Sequence, residues 1–211
     1  MIVRPAEQVA IVGLDRLSAE VFVNLVTGTT LPETGRIALF GRQTSDVANG
    51  DEWLSLVDRV GIVSERAVLL ESLTALQNLA MPFTLDIEPI PADVLPNVTR
   101  LADEVGLREP VWTAPVAGLP AADQMRVRVG RALALDPPFL LLEHMTAGLA
   151  PDDGVALGRH VRELAQRRGA ALVAATSDEP FARAVATRVL RWEPSTGRLS
   201  DRKAWFGGRL G

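Results

Sequence analysis

Residues 131–142 read Arg131-Ala132-Leu133-Ala134-Leu135-Asp136-Pro137-Pro138-Phe139-Leu140-Leu141-Leu142, and Glu143-His144-Met145 carries the chain on to Thr146-Ala147-Gly148-Leu149. An alanine- and leucine-rich helical end runs into two prolines, which lack backbone donors and stop the helix. Four large apolar residues follow, the pattern of a strand buried on both faces between layers of helices. Parallel strands of that kind need helical crossovers. The flanks supply them. Pro120 is a favoured first-turn residue for a helix through Met125, Val129, Ala132 and Leu133, and Asp152 to Arg168 reads as a second helix closed by Gly169. Ala171 to Ala175 is then another buried strand.

Working upstream, Val9 to Val12 is a short apolar strand, followed by a loop through Ser18 and an apolar helical run from Ala19 to Thr27 stopped by Gly28. A turn at Pro32 to Gly35 leads into the strand-like Arg36 to Phe40, and Val60 to Val63 is a further strand after a helical segment around Trp53 to Val57. From Ser72 to Gly106 the spacing turns helical, with Thr74 and Gln77 forming a capping box. Val189 to Trp192 and the turn Pro194 to Gly197 signal a late hairpin. The expected fold is α/β, a mainly parallel sheet flanked by helices. It forms a single domain over 1–211, with a core of 1–66 and 134–211 and an inserted helical subdomain over about 67–133.

Composition narrows the chemistry. The chain has 211 residues, 47% hydrophobic and 23% charged, as expected of one globular unit with a sizeable core. It has no cysteine, which excludes disulfides, thiolate catalysis and cysteine-based metal sites and fits a reducing cytoplasm. No apolar run reaches the ~18 to 20 residues that span a bilayer, and Met1 to Ala10 lacks the pattern of a signal peptide. A net charge of −4 gives no basic field, so no nucleic-acid partner is expected.

Taken together, the order of elements resembles the nucleotide-binding domain of ATP-binding cassette transporters over nearly the whole chain. The run 131–142 with Thr146-Ala147-Gly148-Leu149 is similar to the stretch joining that family's signature loop to its Walker B strand and D-loop. Leu73-Thr74-Ala75-Leu76-Gln77-Asn78-Leu79-Ala80-Met81-Pro82 resembles the segment after the Q-loop in the lipoprotein-releasing and macrolide-exporter branch. Val12-Gly13, Asn24 to Gly28, Pro32, Thr34-Gly35 and Leu39-Phe40-Gly41 match the surroundings of the phosphate loop. The resemblance implies a P-loop NTPase-like core with a truncated N-terminal antiparallel part, since the family's opening strands and adenine-stacking aromatic would lie before Met1.

In that family a glycine-rich loop ends in Gly-Lys-Ser/Thr, because bare N–H groups at a helix start cradle phosphates, the lysine neutralises them and the hydroxyl holds magnesium. Here Gly13 stands alone. Arg16 replaces a loop glycine, Ser18 the last glycine, Ala19 the lysine, and Glu20 with Val21 the hydroxyl pair. At ~4 Å and an effective dielectric near 20 each unit-charge pair is worth about 4 kcal/mol, so these exchanges cost several kcal/mol of nucleotide binding. The remaining stations follow suit. Glu65 holds the Q-loop glutamine position, and the signature loop reads Leu119-Pro120-Ala121-Ala122-Asp123. Glu143 stands for the Walker B aspartate, His144 for the general base, Ala150 for the D-loop aspartate and Ser177 for the switch histidine.

A histidine at the end of a buried strand can act as a base near neutral pH, but the expected role of His144 is that of a polar strand end without catalytic duty. Glu143 and Glu20 are too few ligands for a metal, and none is expected. Glu65, Asp123 and Asp178 are expected as solvated rim charges. His160 with Arg159, Arg162, Arg167 and Arg168 is expected on an exposed helix face opposite Val161, Leu164 and Ala165. Trp205 and Phe206, flanked by Lys203 and Arg209, offer an aromatic end that either docks or packs.

The resemblance then implies a catalytically degenerate cassette ATP-binding subunit. It would be a non-hydrolysing cytoplasmic protein pairing with an active ATPase, as hetero- or homodimer, and with a membrane permease, and needing no cofactor. The alternative is a divergent but working ATPase that binds ATP and Mg²⁺ and drives transport. The seat for a permease's coupling helix is expected at about Glu65 to Pro82.

Overall fold

The computed structural model describes residues 1–201. The aromatic end singled out in the sequence, Lys203 to Arg209, lies outside the described residues. The first third of the chain forms β1 (Gln8–Val12), α1 (Arg16–Thr27), β2 (Ala38–Leu39), β3 (Arg42–Gln43), α2 (Gly50–Val57) and β4 (Val60–Ser64). Four helices follow, α3 (Ala75–Ala80), α4 (Leu95–Glu104), α5 (Glu109–Trp112) and α6 (Ala121–Leu133). The last part alternates again: β5 (Phe139–Glu143), α7 (Pro151–Arg167), β6 (Ala171–Thr176), α8 (Glu179–Val185), β7 (Arg188–Glu193) and β8 (Arg198–Asp201).

Six strands make one sheet in the order β4-β5-β6-β1-β7-β8, parallel throughout except for the final hairpin β7–β8. This is the mainly parallel α/β sheet that the buried runs predict. Side chains alternate across it. Val9, Ile11, Phe139, Leu141 and Val173 pack on one face with Ala19 and Val23 of α1. Ala10, Val12, Leu140, Leu142, Leu172 and Ala174 pack on the other with α3, α4, α6, α7 and α8. Two layers of apolar side chains therefore hold the strand ends rigidly in line.

The strand expected over Arg36 to Phe40 is a correction. Only Ala38 and Leu39 pair, with β3 and apart from the main sheet. Leu39 alone of Arg36–Phe40 is buried and Ile37 only partly so, which leaves too little burial to hold a longer strand. The predicted capping box is present, with Thr74 Oγ1 accepting from Gln77 N and Gln77 Oε1 from Thr74 N. Gly61 in β4 is required by contact, since a Cβ there would lie 2.6 Å from the Ala132 carbonyl oxygen and bring α6 off the sheet.

Candidate functional site

The C-terminal ends of β1, β4 and β5 lie together because the three strands run parallel in one sheet. Chain leaves β1 through Gly13, whose φ of 93° belongs to the left-handed region that glycine enters freely. Asp15 caps α1, its Oδ1 accepting from Ser18 N at 2.7 Å, while the Asp15 carbonyl accepts from Ala19 N at 2.9 Å. The hydrogen bond from Ser18, first of several causes, holds the Asp15 carboxyl below its ordinary range. Ala19 is fully buried against the sheet, and Leu17 and Val21 face outward. The helix start is thus capped from within by a carboxylate.

Five charges close around the next turn. Glu143, 2% exposed at the end of β5, receives two hydrogen bonds from Arg66, Nε to Oε1 at 2.9 Å and Nη2 to Oε2 at 2.7 Å. The third nitrogen of the same guanidinium, Nη1, meets Glu20 Oε1 at 2.8 Å. Arg16 Nη2 reaches Glu65 Oε1 at 3.0 Å. Glu143 therefore lies in a buried, charge-assisted and two-pronged pair, which also holds the Arg66 proton more tightly than usual. Glu20, Glu65, Glu143 and Arg16 stand out in the sequence, but Arg66, which joins Glu20 to Glu143, does not. The signal was present as an imbalance, since Glu20 and Glu143 bring two carboxylates toward one strand end with no cation assigned to them.

His144 follows with φ 41°, a backbone conformation a histidine rarely adopts and one that stores strain. Its backbone is tied by His144 N to Ala175 O at 3.0 Å, while its Nε2 is buried without a hydrogen-bond partner. Ser177 is exposed after β6, and Ala150 caps α7 without a side-chain bond. The loop Leu119 to Asp123 stands apart, and among the described residues no hydrogen bond or ion pair joins it to the Arg66 cluster.

Three carboxylates expected as solvated rim charges are otherwise engaged. Asp123 is 9% exposed and accepts from Arg126 Nη1 at 2.7 Å, Asp178 caps α8 through Phe181 N, and Glu65 pairs with Arg16. Each is held because a cation or an open helix start lies within its reach. The charged face of α7 is also corrected in part. His160 Nε2 meets the Glu104 carbonyl at 3.0 Å and Arg168 pairs with the Glu104 carboxylate, so both turn toward α4 rather than to solvent.

Beside this cluster lies a cavity of about 340 Å³ between β4, α6 and the segment after β4, lined by Ile62, Ala67, Pro82, Arg128, Arg131 and Leu135 among others. Arg128 Nε donates to Ala67 O at 3.0 Å and Arg131 Nη1 to Val68 O at 2.6 Å. Burial lowers the proton affinity of both guanidinium groups. Among the described residues no group of three or more carboxylates and histidines is arranged for a metal, and no helix is long and apolar enough to cross a membrane.

No family model matches the sequence. Among curated proteins, the chain is 30% identical over 197 residues to the lipoprotein-releasing system ATP-binding protein LolD of Pseudomonas syringae pv. tomato, across 93% of this chain and 85% of that one. It is 29% identical over 185 residues to the methionine import ATP-binding protein MetN of Brucella abortus, and spans about half of that relative's length, 49%. Among solved structures, a dimeric ATP-binding cassette in a post-hydrolysis state bound to ADP and Pi superimposes with TM-score 0.76 at 23% identity, over 97% of this chain and 89% of that one. CbiO1 from Clostridium perfringens superimposes with TM-score 0.78 at 20% identity, over 95% and 78% of the two chains.

Proposed function

Because the chain belongs to the ATP-binding cassette family of transporter ATP-binding domains, we propose that it is a non-hydrolysing subunit of that kind. It works in the cytoplasm, pairs with a catalytic ATPase or a second copy, and seats a membrane permease. One observation carries the reading: the start of α1 already holds an anion, the Asp15 carboxylate on Ser18 N–H. A phosphate placed there meets a carboxylate instead of a bare donor, and the lysine that would neutralise it is replaced by the buried methyl of Ala19. The residues present do not fit a magnesium–nucleotide, and no step is derived through one.

Arg16, the nearest substitute for the missing lysine, is committed to Glu65. His144 has no partner to orient its Nε2, and a base has no use without a phosphate to attack. The alternative, a divergent working ATPase, therefore needs Arg16 to leave Glu65 and Asp15 to release Ser18 N–H. In the proposed reading residues 1–66 and 134–211 form the core and about 67–133 the helical subdomain. The cavity between β4 and α6 supports the permease contact, because a mixed lining of Ile62, Pro82 and the exposed Leu135 with Asp58, Arg128 and Arg131 suits a short amphipathic helix from another chain.

The test is titration of the purified protein with Mg-ATP, followed by thermal unfolding and phosphate release. No gain in stability and no release are expected, since a ligand that binds the native state must raise its melting temperature. Tight binding, or turnover abolished by His144→Ala, overturns the reading in favour of a divergent ATPase.

A further inference from the structure

The geometry points to Arg66 as a tethered cation: we infer that its guanidinium fills, from within the chain, the place between Glu20 and Glu143 where the family's magnesium would sit. In that position it pins the segment after β4 in one nucleotide-independent arrangement. The placement of the displaced ion rests on the non-hydrolysing reading and its register. The pairing itself rests on distances.

Glu20 takes the position of the magnesium-binding hydroxyl and Glu143 that of the Walker B aspartate, and both carboxylates address the same guanidinium at 2.7 to 2.9 Å. Two carboxylates facing one point, one of them 2% exposed, are costly to fold unless a cation lies between them. A divalent ion supplies that charge only when it binds; a side chain two residues beyond β4 supplies it permanently. The planar fork suits the task, giving two parallel bonds to Glu143 and leaving the third nitrogen for Glu20.

The second consequence concerns the loop that carries Arg66. Its backbone N–H donates to Ser64 Oγ at 3.1 Å. Beyond it Arg128 and Arg131 hold the carbonyls of Ala67 and Val68, and the fully buried Asn78 accepts from Leu70 N and donates to Leu70 O. From Ser64 to Leu70 the segment is thus fastened at both ends, to the core by Arg66 and to the helices by α6 and Asn78. This segment forms one wall of the cavity through Ala67. The cavity is therefore preformed, and its shape does not wait for a nucleotide.

The experiment compares the full chain with Arg66→Met, Glu143→Gln and the double variant by thermal unfolding and backbone hydrogen exchange, each alone, with Mg²⁺ and with Mg-ATP. The expected result is a fall of roughly 5 to 15 °C in melting temperature for Arg66→Met. Exchange at Ala67 to Leu70 rises at the same time. Adding Glu143→Gln to that variant recovers part of the fall, because it removes the stranded buried charge. Wild type responds to neither Mg²⁺ nor Mg-ATP, and Mg²⁺ does not restore Arg66→Met, because Glu20 and Glu143 alone are too few ligands to hold it.

Additive losses in the double variant, or unchanged exchange in the loop, overturn the tethered-cation inference and leave the non-hydrolysing reading standing. A wild-type gain with Mg-ATP overturns the latter. Should Arg66→Met fail to fold, Arg66→Lys decides: it keeps the charge and loses the fork, so stability falls part way and loop exchange rises, whereas wild-type behaviour sinks the proposal.

Discussion

Arg168, one residue past the end of α7, holds Glu104 at the end of α4 in a two-pronged pair, Nε to Oε1 at 2.9 Å and Nη2 to Oε2 at 2.7 Å. Its remaining nitrogen donates to the Leu133 carbonyl at the end of α6 and to Asp136. One guanidinium therefore ties the helices of residues 75–133 to the C-terminal part of the chain. Both partners keep a fringe of solvent, which places the pair between a surface bridge and a buried one. Arg168→Ala is expected to cost about 2 kcal/mol, read as a lower midpoint in urea with an unchanged slope.

Acid should weaken the same joint. Hydrogen bonding from Arg168 depresses the Glu104 carboxyl below its ordinary value of 4.5. A carboxyl whose folded value is depressed contributes stability above its unfolded value, and that contribution is lost as pH falls through the folded one. Asp15, depressed from 3.8 by Ser18, adds to the loss in the same direction. Wild-type stability is expected to decline steadily below about pH 4.5. Glu104→Gln starts lower at neutral pH and declines less steeply, a difference that melting curves over that range measure directly.

On the non-hydrolysing reading, placing a lysine at position 19 is expected not to create a nucleotide site. Ala19 has no exposed surface, so Ala19→Lys drives an ammonium into the packing between α1 and the sheet, next to Ile11 and Val23. The expected outcome is a loss of about 3 kcal/mol or more of stability with no gain in Mg-ATP affinity, because Asp15 still occupies Ser18 N–H. Equilibrium unfolding and isothermal titration of the variant check the two halves separately.

Much of this architecture is legible along the chain because its determinants are local. Phe139 to Leu142 and Ala171 to Ala175 announce themselves as buried strands by unbroken apolar runs, and Thr74 with Gln77 announces a helix start by spacing alone. The turn from β1 into α1 is legible for the same reason, since Gly13, Asp15 and Ser18 are close neighbours in the chain. What escaped is long-range charge matching. Arg66 and Glu143 lie 77 residues apart, and Arg168 and Glu104 lie 64 apart, with no periodicity to link them. Arg66 reads as one more surface cation until β4 and β5 are placed side by side with Ser64 opposite Glu143. Asp123 misled in the opposite sense, because a carboxylate in the first turn of a helix looks solvated until Arg126, three residues on, folds over it.

On the proposed register Asp123 stands at the signature-loop position, which allows a matching reversal. Asp123→Gln strands Arg126, whose Nε is already buried without a partner. A loss of about 1.5 to 3 kcal/mol is expected, with no nucleotide-dependent pairing gained. Sedimentation of the variant with and without Mg-ATP tests the second part, and a dimer appearing only with nucleotide would contradict it.

The cavity between β4 and α6 yields a prediction that separates docking from folding. Leu135, which lines it, is 62% exposed, and Val68, next in the chain to the lining Ala67, is 73% exposed, although both are large apolar side chains that solvent disfavours. If a permease segment covers them, Leu135→Asp loses that contact while removing nothing from the core. Stability is expected to stay within about 0.5 kcal/mol of wild type, the range for a surface change away from packing. Association with a co-expressed permease of the family is expected to disappear, measured by co-purification in detergent. A variant that still co-purifies at the wild-type ratio shows that the permease sits elsewhere. A variant that also unfolds shows that Leu135 is part of the core after all.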